Sequence, residues 1–264
     1  MMKSLILWVF TLLCSVKAFA CDCSTPKPAI AFYYSEYVFE GIVASKTYAS
    51  DSLTYTVTFD ILKHYKHGDS PKQLSFTLKS EGKYQGEFTS CDWNVNKNEK
   101  WLIYAYRYQE KLVFVYMCGN SKPIGPTGIF QAEQQVLDNG NDFDPSKYIF
   151  TSFDWINTQP QSNAVDSLLK KYRYTKHTPN RVNIMVEIDE KGRLISAAST
   201  RKWYSLTDSV FGLYIPENRD FSQPTNQKEE YFLGIVRSLK KWNIISIPHS
   251  TTAIKYRRDL QFYY

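Results

Sequence analysis

The feature that most constrains this chain is a pair of cysteines separated by one residue, Cys21-Asp22-Cys23. The chain between them is too short to bring the two side chains together easily, so each cysteine requires a distant partner. Only Cys91 and Cys118 remain once Cys14 is assigned to a removable leader. The sequence leaves open which of them bonds to which. Either arrangement attaches the segment at two points, although most chain termini are not held so firmly.

Residues 1–20 have the pattern of a secretory signal peptide. Lys3 gives a positive start and an apolar run follows from Leu5 to Leu13. Ala18-Phe19-Ala20 then places small residues at both positions that a signal peptidase reads. The run is too short to span a bilayer, which disfavours a retained membrane anchor and predicts no transmembrane helix. We therefore expect an exported protein, periplasmic or extracellular, whose mature chain begins at Cys21.

Export also bears on the chemistry of the cysteines. Cys14 leaves with the leader, so five cysteines become four, and an even number in an exported chain favours disulfide bonds. The alternative is lipoprotein processing, which would attach a lipid to Cys21 and remove it from any disulfide. Phe19 stands where a lipoprotein signal has a small residue, so the sequence favours the disulfide interpretation.

Composition and motifs disfavour several functional classes. The formal net charge of +6 falls by two when Lys3 and Lys17 leave, and the remaining basic residues are dispersed, so nucleic-acid binding is not expected. The chain has no Gly-rich phosphate loop, nucleophile elbow or HExxH helix. His64 and His67 lie beside a turn with no third ligand nearby in sequence, which is more typical of solvated residues than of a metal site. We expect neither an enzyme nor a cofactor.

Alternating apolar and polar residues predict five short strands in the first half of the chain. The clearest is 52–65, in which large apolar side chains alternate with threonines. Gly41 within the first strand predicts a bulge or a bend. The expected strands are 37–45, 52–65, 73–78, 101–107 and 111–117, with helices at 29–36 and 128–137. Five short strands and a closing helix favour a small closed barrel of the oligonucleotide/oligosaccharide-binding (OB) type.

Several motifs occur in a defined order between residues 21 and 138. They are the C-x-C pair, SEYVFEGIV at 35–43, YKHG at 65–68, Cys91, WLIYA at 101–105 and Cys118. Their combination resembles the netrin-like module, and within it the tissue inhibitors of metalloproteinases. That resemblance implies a five-stranded barrel with disulfides Cys21–Cys91 and Cys23–Cys118. It also implies that the amine and carbonyl of Cys21 chelate the catalytic zinc of a protease, while Asp22 enters the specificity pocket.

The sequence departs from the inhibitor pattern at two positions. Asp22 stands where the inhibitors carry a small Ser or Thr. Moving an unpaired carboxylate into an apolar pocket has a desolvation cost on the order of several kcal/mol. Tyr33 stands near the place of a further cysteine in the inhibitors. The alternative interpretation is that Cys21 and Cys23 serve only to hold the fold. Each bond would then stabilise the chain by on the order of 4 kcal/mol.

The second half of the chain follows a turn-rich boundary. Residues 139–179 predict a linker with docking aromatic residues and a helix at 164–172 that Asn163 caps. Two strands at 182–188 and 193–200 then flank an Asp189-x-x-Gly192 turn. A helix capped by Asn226, with an apolar stripe that extends to Trp242, and a last strand at 253–264 complete the pattern. This order resembles the C-terminal domain of the TonB family, which contacts its partner by adding a strand to a sheet edge.

We therefore expect a mostly β protein with an α+β part. It comprises an OB-like barrel at 21–138, a linker at 139–179 and a small β-β-α-β domain at 180–264. The leading functional hypothesis is protein–protein binding, with inhibition of a zinc metalloprotease through Cys21. The alternative is an envelope scaffold or assembly protein whose C-terminal domain binds a partner by strand addition. Oligosaccharide binding on the barrel face is a third option.

Overall fold

The computed structural model describes residues 23–86, 92–154, 156, 163–173, 175, 177, 180–199, 206–216, 224, 226–239 and 241–264. Strand outweighs helix, as the sequence predicts. No helix in this described part is long and apolar enough to cross a bilayer. The expected signal peptide lies outside the described residues, as do Cys21, Asp22 and Cys91.

The first half of the chain builds one antiparallel sheet with the strand order β3-β2-β1-β4-β5, and β6 pairs with β4. Gly41 confirms the predicted bend, because the pairing of β1 with β2 shifts between Glu40 and Gly41. A Cβ atom at Gly41 would lie 3.0 Å from the carbonyl oxygen of Asp60, so the two strands approach too closely there for a larger residue. The elements are α1 (Pro28–Tyr34), β1 (Tyr37–Tyr48), β2 (Thr54–His64), β3 (Gln73–Lys79), α2 (Gly82–Gln85), β4 (Lys100–Tyr108), β5 (Lys111–Val113), β6 (Lys122–Pro123) and α3 (Gln131–Asn139).

This sheet curls into a half-barrel around an aromatic core. Phe114 follows β5 directly, and its ring centroid lies 5.0 Å from that of Phe76 on β3. The two sheet edges therefore approach each other through side chains. The described strands show no hydrogen-bonded ladder between β3 and β5, so the expected closed five-stranded barrel is not seen among them. β5 is also shorter than predicted, because Phe114 is buried against Phe59, Phe76 and Trp101.

The segment after α3 connects the two halves of the chain. It contains short 3₁₀ turns at Gly140–Asp142, Pro145–Lys147 and Ser152–Asp154, followed by α4 (Asn163–Lys171). Phe150 is buried and bonds on both sides of its peptide, donating to the carbonyl of Lys255 and accepting from the amide of Arg257 at 3.0 and 2.7 Å. Its core cluster also contains Ala29 and Ile30 of α1. Of the aromatic residues predicted to dock, Phe150 thus contacts both halves of the molecule, whereas Phe153 is 87% exposed.

The second half is a three-stranded antiparallel sheet, β13-β7-β8, whose apolar face packs against α4 and α5. Asn226 confirms its predicted role as a cap, because its side-chain oxygen accepts from the amides of Lys228 and Glu229. α5 ends before Trp242, since the Trp242 amide donates to the carbonyl of Gly192 at 3.1 Å. The elements are β7 (Arg181–Ile188), β8 (Leu194–Ser199), β9 (Leu206–Thr207), β10 (Tyr214–Ile215), α5 (Gln227–Ser238), β11 (Ile245–Ser246), β12 (Ala253–Ile254) and β13 (Tyr256–Tyr263).

A second contact between the halves involves the turn between β11 and β12. His249 in this turn lies over Tyr106 of β4, with 4.4 Å between the ring centroids. Burial lowers the pKa of His249, which favours the neutral ring at this contact. The Tyr33 hydroxyl of α1 hydrogen-bonds with the Thr252 hydroxyl at 2.8 Å. The contacts between the two halves of the chain thus involve both apolar and polar groups. The division into domains at 21–138 and 180–264 stays a prediction.

Candidate functional site

The described chain begins with an exposed segment, residues 23–26, which we call the N-terminal ridge. It has no regular secondary structure and leads into α1. Cys23, Ser24 and Thr25 are exposed, whereas Pro26 is buried. Pro26 and Pro28 each have a fixed backbone φ angle, so the chain has little rotational freedom where the ridge joins α1. This combination of exposure and restricted conformation is typical of a segment that contacts another molecule.

Two neighbouring anchors hold the ridge from one side. Cys23 is joined to Cys118 by a disulfide whose Cα atoms are 5.6 Å apart, so the structure shows this pair bonded. Two residues further along, the buried Asn120 donates from Nδ2 to the carbonyl oxygen of Pro26 at 2.9 Å. One covalent bond and one buried hydrogen bond therefore tie both ends of the ridge to the segment at 118–120.

Lys27 anchors the ridge from the other side. Its ammonium lies 2.7 Å from Oδ1 of Asp154, a carboxylate that is 0% exposed. It also donates to the carbonyl of Gly212, so Lys27 contacts both the connecting segment and the second half of the molecule. The other carboxylate oxygen of Asp154 accepts from the amide and the hydroxyl of Thr151 at 2.7 and 2.9 Å. A buried carboxylate needs such partners, because an unpaired charge in the interior is costly.

Lys66 supports α1, the helix that continues from the ridge. The last carbonyls of a helix lack partners within it. The half-buried Lys66 ammonium donates to three carbonyls in this region, those of Phe32 and Tyr33 at 2.8 Å each and that of Ser35. Burial lowers the pKa of Lys66 to about 8. The lysine of the predicted YKHG turn thus closes the carboxyl end of α1.

Replacing Lys66 by methionine is expected to lower the free energy of unfolding by about 2 kcal/mol at pH 7. The change keeps the apolar stem but leaves three carbonyl groups without their donor, and each unsatisfied buried group costs on the order of 1 kcal/mol or more. Partial burial of the wild-type ammonium offsets part of that loss. Urea unfolding of both proteins measures the difference. Lys63→Met is the matched control, because the Lys63 side chain is 53% exposed and should change stability by less than about 0.5 kcal/mol.

The same pair of proteins gives a test of the pKa. Unfolded lysine keeps its proton up to about pH 10.4, whereas folded Lys66 releases it near pH 8. Between these values the unfolded state binds more protons, so the stability of the wild type rises with pH. The loss caused by Lys66→Met should therefore be larger at pH 10 than at pH 7. A loss that is equal at both pH values would contradict the burial of the ammonium.

Glu81 and Asp92, on either side of the undescribed residues 87–91, are also anchored by polar contacts. The buried Glu81 carboxylate accepts from the hydroxyl of Tyr48 at 2.8 and 2.9 Å and from the ammonium of Lys46 at 3.2 Å. Burial acts to raise the pKa of Glu81, but these hydrogen bonds hold it below its ordinary value. Asp92 accepts from the amide of Gly82 at 2.9 Å. Asp92, the neighbour of Cys91, is thus held to the start of α2, while Cys91 itself lies outside the described residues.

The histidines of the described chain have separate environments. His64 Nε2 lies 2.9 Å from the carbonyl oxygen of Pro71, and His67 is exposed, with its amide bonded to Asn141. Within the described part, no group of three or more His, Cys, Asp or Glu side chains could hold a metal ion.

The order β13-β7-β8 leaves two edge strands in the C-terminal sheet, β8 and β13, to which a partner strand could be added. Part of the edge of β13 is already bonded. Its first residues are occupied by Phe150, which pairs with Tyr256 in a parallel bridge. At the other end, the amide of Tyr263 donates to the carbonyl of Tyr172 at 2.7 Å. Contacts at both ends shorten the length of edge that an added strand could use.

A polar cavity of about 380 Å³ lies between β7, the end of β8 and the start of α5. Its lining includes Asn183, Ser199 and Glu229, and the Ser199 hydroxyl donates to the Glu229 carboxylate at 3.1 Å. The sequence did not predict this cavity, because its residues come from three elements without a shared motif. The sequence also did not predict the contacts of Asn120, Lys27 and Asp154 around the ridge, because these residues share no motif either.

Comparison with known proteins adds no relative, because neither a family model nor a curated protein matches this sequence.

Proposed function

We propose that this is an exported protein that binds a protein partner through its N-terminal ridge, without enzymatic activity of its own. The partner is a zinc metalloprotease, and the α-amino group and carbonyl of Cys21 are the groups that ligate its metal. The supporting observation is that the ridge is exposed but firmly held. Cys23, Ser24 and Thr25 are exposed. The ridge is anchored at Cys23 and Pro26, and the next residue, Lys27, is anchored as well. Binding by such a segment loses little conformational entropy.

The proposal includes a netrin-like barrel as the support of the ridge. The antiparallel order β3-β2-β1-β4-β5, the bulge at Gly41 and the Phe76–Phe114 contact between the two edges support this assignment. The Cys23–Cys118 bond is the second of the two disulfides that the family resemblance implies. The Cys21–Cys91 bond is part of the proposal and would bring the chain terminus to the anchored segment near Asp92.

Adding one alanine before Cys21 is expected to abolish inhibition of the target protease and to leave the fold unchanged. The extension moves the amino group away from the Cys21 carbonyl, so the two groups can no longer bind one metal together. An amine must be neutral to ligate zinc and an α-amino group titrates near pH 8, so inhibition by the native form should strengthen as pH rises through that region. Inhibition of a panel of zinc metalloproteases measures both effects.

The matched control is Asp22→Ser, which keeps the amino group in place and changes only the side chain expected in the specificity pocket. It should retain inhibition and shift the preference towards proteases with an apolar pocket, because a buried unpaired carboxylate is costly. Equal inhibition by the extended and native forms would overturn the metal ligation. A complete lack of inhibition by the native form would leave Cys21 with a structural role only.

The alternative function, a scaffold that binds by strand addition, has weaker support. β13 is an edge strand, which favours it, but Phe150 and Tyr172 already bond near its two ends. A strand added along the whole of β13 would displace these contacts, and β8 is the other edge strand of the sheet. The ridge requires no such rearrangement, and for this reason we place the binding site there.

A further inference from the structure

An exposed aromatic side chain projects from the turn that holds Lys27. Phe153 is 87% exposed and lies in the 3₁₀ turn Ser152–Asp154. The turn is well anchored on either side of it, because Thr151 and Asp154 are buried and Asp154 accepts from both the amide and the hydroxyl of Thr151. Phe153 is therefore held in solvent by a turn whose neighbouring residues are restrained.

One ion pair joins the turn to the residue that follows the ridge. Lys27, the residue after the ridge, binds Asp154, the residue after Phe153, at 2.7 Å. Thr25 is only two residues before Lys27 in the chain, and it is exposed. A molecule that covers the ridge and extends past Lys27 would therefore reach the turn.

The charges at this place cancel. The Lys27 ammonium is neutralised by Asp154 and lies 5.6 Å from the ring centroid of Tyr214. What remains for a partner to contact is the apolar ring of Phe153 beside a neutral ion pair. An aromatic anchor that is already held in place is the type of residue that dominates binding energy at protein interfaces, where it fills an apolar recess of the partner.

The geometry points to Phe153 as a second anchor for the same partner that binds the ridge. This inference rests on the proposed function and extends it, because it requires the protease to have an apolar recess beside the cleft that holds its zinc. Lys27 and Asp154 act as positioning residues, since they set the place of Phe153 relative to the ridge.

The test compares Phe153→Ala with Phe130→Ala in the full mature chain. Phe130 is the matched control, because it is also a highly exposed phenylalanine, at 77%, but precedes α3 instead of lying in the turn. Dissociation constants are measured against each zinc metalloprotease that the native protein inhibits. We expect Phe153→Ala to raise the dissociation constant at least tenfold and Phe130→Ala to leave it within twofold, with both melting temperatures unchanged.

The alanine extension before Cys21 is measured in parallel to separate the two proposals. If the extension abolishes binding while Phe153→Ala binds as tightly as the native protein, the ridge binds alone and the second anchor is wrong. If the native protein binds no protease of the panel, both proposals are overturned. Hydrogen exchange of residues 151–154 gives a second measurement, since the amides of this turn should gain protection in the complex, and unchanged exchange would contradict the anchor.

Discussion

Replacing Cys23 and Cys118 together by alanine is expected to lower the free energy of unfolding by roughly 4 kcal/mol. The bond joins residues with a sequence separation of 95, and its removal frees a long loop in the unfolded chain. Cys23 is exposed, so the substitution removes little packing in the folded state. The loss therefore reports mainly on the restraint of the unfolded chain. Urea unfolding of the mature protein at neutral pH measures it.

The size of this loss also tests the proposed Cys21–Cys91 bond, whose two residues lie outside the described part of the chain. If Cys23–Cys118 were the sole bond, the chain-entropy treatment gives about 4.7 kcal/mol for a loop of this length. If Cys21–Cys91 is also formed, it already shortens the loop to about 30 residues, those of 91–118 together with 21–23, and the loss falls to about 3.6 kcal/mol. The proposed pairing predicts the smaller value.

Thr25→Ala is the control for this measurement, because Thr25 is exposed on the same ridge and carries no bond to 118. It should change stability by less than about 0.5 kcal/mol. A loss below 1 kcal/mol for the double cysteine variant would show that the bond does not restrain the unfolded chain as described. If the proposed Cys21–Cys91 bond is also formed, reduction of the native protein should destabilise it more than the double variant is destabilised.

The local patterns of the sequence predicted most of the regular elements. The alternation at 52–65 became β2 at Thr54–His64, and the helix expected at 128–137 was found at Gln131–Asn139. The cap at Asn226 and the Asp189–Gly192 turn were also correct, since the Asp189 carboxylate accepts from the amides of Lys191 and Arg193. These features depend on contacts between residues that are close in sequence, which a pattern can show.

The errors arose where distant parts of the chain decide the structure. The strand expected at 111–117 ends at Val113, because Phe114 is buried among aromatic residues of three other segments. The helix stripe that reached Trp242 ends at Ser238, because the Trp242 amide bonds to Gly192. Propensity and periodicity do not contain such tertiary contacts.

The sequence predicted only part of the candidate site, because the site also depends on contacts between distant parts of the chain. The C-x-C pair predicted that disulfides hold the segment that contains Cys23. The family resemblance implied the Cys23–Cys118 bond, which the structure shows. The sequence did not indicate the contact of Lys27 with Asp154, since the two residues are far apart in the chain and belong to no motif. Phe153 belongs to the aromatic run that the sequence predicted to dock on one domain, but its side chain is 87% exposed in the turn Ser152–Asp154.

Replacing Glu187 by glutamine is expected to lower the free energy of unfolding by about 3 to 5 kcal/mol. Glu187 forms a buried ion pair with Arg257, in which Oε1 of Glu187 accepts from Nη2 at 2.7 Å and from Nε at 3.2 Å. The two side chains are 9% and 6% exposed. Glutamine keeps the size of the side chain but removes its charge, which leaves a guanidinium charge buried without its carboxylate. Urea unfolding at pH 7 measures the loss.

Two further variants separate the charge from the position of the side chain. Glu36→Gln removes the carboxylate from the exposed pair with Arg107, and because water screens that pair the loss should stay below about 1 kcal/mol. Adding Arg257→Met to Glu187→Gln removes the guanidinium that has lost this carboxylate and should recover most of the stability, since apolar side chains can replace a buried pair without large cost. Arg257 also bonds through its amide to Phe150, a contact that the double variant keeps. If the double variant is no more stable than Glu187→Gln alone, the loss of the carboxylate charge beside Arg257 is not the cause of the lower stability.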